Sequence, residues 1–164
     1  MDGNNPKAIV DGLKPVEVVR VAEALFELVY SRIPHDAIRA NADAVSEVQP
    51  LIKLAAGSSE RRISAEDDAV IRPLLLAYAA DPKLEPFLLE AWEEVRNADT
   101  LSINPIVTLG LIINLTLVVA TTTLSIKKDV NGQIAWEAGK GAASPELVVK
   151  VIDPLLTKFG KIAN

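Results

Sequence analysis

Between Asp99 and Lys127 the chain runs for 27 residues, TLSINPIVTLGLIINLTLVVATTTLSI, without one charged side chain. With 24% charged residues overall, a window of that length would ordinarily hold about six. A segment so apolar either crosses a bilayer or is enclosed on all sides by the rest of the protein.

The stretch is composite. Asn104-Pro105 suits a helix start, and 106–120 is apolar nearly all round. From Thr121 the residues turn β-branched, which favours a strand. In KKDVNGQIAWEAG a three-residue loop, Val130-Asn131-Gly132 with Gly132 left-handed, aligns Ile126 with Trp136, Leu124 with Ala138 and Lys128 with Ile134. A two-residue Asn-Gly loop would oppose Ile126 to Glu137. The first register keeps the apolar residues on one face and is the one expected.

Upstream, four segments carry apolar residues at helical spacing. Pro15 to Ile33 repeats Val18, Ala22, Leu25 and Val29, opposite Arg20, Glu23 and Glu27. A second helix is expected over 35–56, kinked or divided by Pro50, and GSSERR at 57–62 reads as a loop. Ser64-Ala65-Glu66-Asp67 has the form of a capped start for a third helix, running to Ala80 and bent near Pro73. Asp81-Pro82 opens a fourth, with Leu84, Phe87, Leu88, Ala91, Trp92 and Val95 on one face. Downstream, Ser144-Pro145-Glu146 begins a last helix, which Pro154 kinks or restarts with Asp153 as cap.

The spacing therefore predicts a single domain, 1–164, mainly α with a small β-hairpin (α+β). A helical part over 15–120 forms a bundle around a central apolar helix at 105–120. The hairpin follows at 121–138, and the hairpin with a C-terminal helix completes the domain to 162. A helix over 105–122 would reach about 27 Å against a hydrocarbon core of about 30 Å, and one ending at Ala120 only about 24 Å. Asn114 lies near its middle, and no aromatic belt flanks it. With four apolar faces available to cover it, a buried helix is the reading adopted, and a membrane-inserting segment at 105–122 is the runner-up.

Composition narrows the function. Hydrophobic residues make up 49% and aromatic ones 4%, so the interior must be aliphatic. Cysteine is absent, which excludes disulfides and thiolate metal sites and suits a reducing compartment. The start lacks a basic region followed by an apolar one, so a cytoplasmic location is expected. The net charge of −5 divides into −7 over residues 1–99 and +2 over 100–164. That acidic first half argues against nucleic acid as a partner, which needs clustered Lys and Arg.

No motif asks for a cofactor, a metal or a catalytic group. His35 is the single histidine and reads as a surface or first-turn residue. Glu66-Asp67-Asp68 lacks the spacing of a calcium loop and suits the positive end of a helix dipole. Arg61-Arg62 would grip a phosphate or an acidic partner, and pairing with that adjacent acidic turn is the reading adopted. Gly139-Lys140-Gly141 is a connector rather than a phosphate loop, because GxxxxGK[ST] is absent, as are GxSxG, HExxH and GxGxxG. Trp92 and Trp136 rank as core by pattern, and an exposed one would mark a binding surface. With Arg61, Arg62 and Lys127 they make up the candidate interface.

The run 106–120, KKDVNGQIAWE and SPELVVKVI together are similar in outline to small accessory components encoded beside bacterial conflict-system effectors. The resemblance covers well under half of the chain and transfers no functional residue. The function expected is a non-catalytic protein–protein interaction or assembly module of a bacterial-type soluble complex, meeting a protein partner or further copies of itself. The alternatives are a membrane-inserting or membrane-associated effector component using 105–122, and a carboxylate-dependent enzyme.

Overall fold

A computed structural model describes residues 5–33, 36, 38, 42–43, 46–98, 107–121, 124–128, 134–138 and 147–160, with the backbone alone for those between 121 and 138. The fold is mainly helical with a two-stranded antiparallel hairpin. The helices whose bounds are described are α1 (Pro6–Gly12), α2 (Pro15–Arg32), α3 (Gln49–Ser58), α4 (Asp68–Ala80), α5 (Glu85–Asn97), α6 (Leu109–Thr121) and α7 (Asp153–Phe159). Strands β1 (Arg62–Ile63) and β2 (Val107–Thr108) pair with each other, as do β3 (Leu124–Lys128) and β4 (Ile134–Ala138).

The uncharged stretch supplies α6, and the bundle closes over it. Leu109, Ile112, Ile113, Leu115, Thr116, Leu117, Val118 and Ala120 are all buried. Helices α2, α3 and α4 pack directly against it, whereas α5 packs mainly on α2 and α4, one layer out. Gly110, Leu111, Asn114 and Val119 are the partly covered positions among the described side chains of α6. The buried hydroxyl of Thr116 is satisfied locally, since its Oγ1 donates to the Ile112 carbonyl at 2.8 Å. From outside, the Tyr78 hydroxyl of α4 donates to the Leu115 carbonyl at 2.8 Å.

α6 begins at Leu109, four residues later than the expected start at 105, because Val107 and Thr108 pair with Ile63 and Arg62. That pairing solves the problem of the first-turn amides, which have no partner inside the helix. Leu109 N–H donates to the Arg61 carbonyl at 2.8 Å and Gly110 N–H to the Ser59 carbonyl at 2.9 Å. Leu111 N–H reaches Thr108 Oγ1 at 3.2 Å. The expected loop 57–62 is therefore partly ordered structure: its first two residues finish α3 and its last opens β1. At 13 residues α6 is about 20 Å long, and among the described residues no helix is long and apolar enough to cross a membrane. Residues 105, 106 and 122, also assigned to the apolar helix or span by sequence, lie outside the described residues.

The prolines divide the other helices. Pro50 does not kink a long helix but occupies the first turn of α3, after a 3-10 turn at Ser46–Val48, where its missing N–H costs nothing. Much of the remaining span expected there, His35 included, lies outside the described residues. Pro73 stays inside one helix, α4, and the carbonyl it leaves without a helical donor belongs to exposed Ala69. The fourth helix starts at Glu85, not Pro82, because Asp81 first makes a turn. Its side chain accepts Lys83 N–H at 2.9 Å, and its carbonyl takes Leu84 N–H at 3.0 Å and Glu85 N–H at 2.8 Å.

The capped start at Ser64 is present. Ser64 Oγ accepts Glu66 N–H at 3.3 Å, and Asp67 Oδ2 accepts Ser64 N–H at 3.0 Å, across a 3-10 turn that leads into α4. Near Pro154 the last helix widens into a π-turn, Val148–Ile152, before α7 restarts at Asp153. The hairpin has the expected register, with Ile126 opposite Trp136, Leu124 opposite Ala138 and Lys128 opposite Ile134. Its loop, Val130-Asn131-Gly132, lies outside the described residues.

Candidate functional site

The five candidate interface residues fall in three places. Arg61 and Arg62 lie where α3 gives way to β1, Trp92 lies on α5, and Lys127 and Trp136 lie in the hairpin. Among the described residues no hydrogen bond, ion pair or ring contact joins these places.

Arg61 is engaged through both its backbone and its side chain. Its carbonyl caps α6, and its guanidinium lies 4.7 Å from the centre of the Phe159 ring of α7. Its Nη1 atom is buried without a hydrogen-bond partner, so the side chain faces inward rather than out toward a free ligand. Stacking on an aromatic face suits the weakly hydrated guanidinium, which loses less on leaving water than an ammonium would. Arg62, by contrast, is exposed.

Beside Arg61 sits Asp67, nearly enclosed, at 9% exposure. Its Oδ1 meets Lys158 Nζ at 2.5 Å while its other oxygen holds the Ser64 amide. Burial pushes the Asp67 carboxyl upward, but the hydrogen bonds from Lys158 and Ser64 and the charges of Lys158 and Arg61 outweigh it. The carboxyl is held below its ordinary value. Asp68, its neighbour, pairs with Arg72 at 3.1 Å. Asp67 and Asp68 are thus drawn to two different cations while Glu66 is exposed, and among the described residues no group of three or more His, Cys, Asp or Glu is placed to hold a metal ion.

Trp92 is half-buried against the core, and the Arg96 guanidinium covers its ring at 4.5 Å. Lys127 stands opposite Ala135 and Trp136 opposite Ile126 in the β3–β4 ladder. This hairpin forms a sheet of its own, and among the described residues neither outer edge has a partner strand.

Sequence reasoning missed the Asp67–Lys158 and Arg61–Phe159 contacts. The Ser-x-x-Asp pattern pointed to the local role of Asp67, but no local signal joins positions 61 and 67 to 158 and 159. Compared with protein-family models, curated proteins and solved structures, the chain matches none.

Proposed function

We propose that this chain is a non-catalytic interaction or assembly module of a bacterial-type complex, meeting a protein partner or further copies of itself. The observation that carries this reading is the β3–β4 hairpin, a two-stranded sheet with both outer edges open among the described residues. A lone hairpin is marginal in water and gains stability when another element covers it or another strand extends it. An open edge offers a row of backbone donors and acceptors to such a strand. The burial of α6 supports the same reading, because it leaves the apolar segment engaged inside the fold.

Light scattering on purified protein over a wide concentration range, with affinity capture from the native host, tests the proposal. Self-association, or a stoichiometric partner lost when the hairpin is disrupted by Ile126→Pro, is the expected outcome. A strict monomer that captures no partner would contradict it.

A further inference from the structure

The segment from Leu147 to Phe159 and the surface that receives it are two separate pieces of this chain. The segment buries Leu147, Val151, Ile152, Leu155 and Phe159, and it lies against α3 and α4. At its far end two complementary contacts grip it, Lys158 on Asp67 at 2.5 Å and Phe159 beneath Arg61 at 4.7 Å. Helices α3 and α4, with Arg61 and Asp67 between them, fall within residues 49–80. Between receiver and segment the chain passes through α5, α6 and the hairpin, and then Gly139-Lys140-Gly141-Ala142-Ala143, whose composition is that of a connector.

A receiver matched so closely to one segment accepts that segment from any copy of the chain. Resting on the assembly reading above, we propose that self-association proceeds by exchange: the Leu147–Phe159 segment of one copy seats on the α3–α4 surface of a second, and the reverse. Exchange breaks and remakes the same contacts, so a two-fold dimer forms without a new interface having to be built. Raising the concentration then offsets the lost translational freedom. The occupant is a second copy because this chain's own segment already supplies the apolar residues, the cation for Asp67 and the ring for Arg61.

Charge reversal tests the exchange. The Asp67→Lys and Lys158→Glu variants each place like charges at the grip when the segment stays in its own chain. The double variant Asp67→Lys/Lys158→Glu restores an opposite pair and checks that the substitutions permit folding. The two single variants, unfolded together in equal amounts and refolded at high concentration, should give a heterodimer with one copy of each. In it every receiver meets an opposite charge, and it should melt above either variant refolded alone.

Native mass spectrometry identifies the heterodimer, and thermal melting ranks the species. If a single variant does not fold by itself, recovery of folded heterodimer from the mixture still supports exchange. A mixture that gives no heterodimer while the double variant folds overturns it. Should the wild-type protein then still self-associate, the exchange alone is removed. A wild-type chain that is monomeric at every concentration and binds no partner removes the assembly reading as well.

Discussion

Gly110 and Ser59 meet backbone to backbone. The Gly110 N–H donates to the Ser59 carbonyl at 2.9 Å, and a Cβ on Gly110 would lie 3.0 Å from the Ser59 Cβ and 3.1 Å from that carbonyl oxygen. The first turn of the central helix is thus tied to the end of α3 at a point where a side chain has no room. Crowding of this kind costs about 1–3 kcal/mol, against a gain of about 1 kcal/mol for alanine over glycine within a helix. Gly110→Ala should therefore lose about 1 kcal/mol net. Gly57→Ala in α3, where nothing lies within 4 Å, should keep the propensity gain. Urea midpoints for the two variants should move in opposite directions, and a shared direction would show that the close approach does not matter.

The Tyr78 hydroxyl reaches α6 through the Leu115 carbonyl. Tyr78→Phe removes the donor and leaves behind a carbonyl that the helix still serves, so the loss should be about 1 kcal/mol with the fold intact. Burial, and then the nearby Asp81 charge, hold the Tyr78 phenol well above its ordinary value. Its contribution is complete below the ordinary tyrosine value of about 10 and is lost as pH rises beyond it. Wild-type stability should therefore fall more steeply than that of Tyr78→Phe at alkaline pH, and parallel curves would contradict this.

Asp67 acts at the acid end. Because its native value is lowered, its contribution is present above the ordinary aspartate value of about 3.9 and is lost as pH falls through that value toward the native one. Asp67→Asn should be less stable than wild type near neutrality, by about 1–3 kcal/mol for a carboxylate that holds both an amide and an ammonium. The gap should close in acid. A gap that is constant with pH would mean that packing, rather than charge, sets it.

Arg72 fastens the first helix. Its Nη1 donates to the Val10 carbonyl at 2.5 Å and its Nη2 to the Leu13 carbonyl at 2.8 Å, while Asp68 steadies the guanidinium. Arg72→Ala should loosen α1 before anything else. Hydrogen exchange should speed up over residues 7–13 and stay unchanged in α2, whereas uniform acceleration would place Arg72 among the determinants of global stability.

The large elements were legible because their signals are long. Helix α2 shows its apolar stripe over 18 residues, and keeping the hairpin's apolar residues on one face was enough to place Ile126 opposite Trp136. The start of α6 was not legible. A two-residue strand such as Val107–Thr108 has no period to detect, and its partner at Arg62–Ile63 lies in a stretch whose composition reads as loop. Pro50 was ambiguous for a similar reason, since proline both opens helices and interrupts them, and Pro82 was read as opening a helix that begins three residues later, at Glu85. What decided each was a neighbour, the 3-10 turn before Gln49 or the Asp81 side chain. Arg61 was read as pairing with the adjacent acidic turn or gripping a ligand; its charge does act on Asp67, but its guanidinium also stacks on Phe159, and a contact spanning that much sequence leaves no local trace.

The enclosure of the uncharged helix is tested most directly by native-state hydrogen exchange of its backbone amides. The slowest amides of Ile112 to Ala120 should exchange only through global unfolding, at the same opening free energy as the slowest amides of α2 and α4, with no change on adding detergent micelles. Opening of α6 while α2 remains protected, or protection of α6 that arises only when micelles are present, would contradict it.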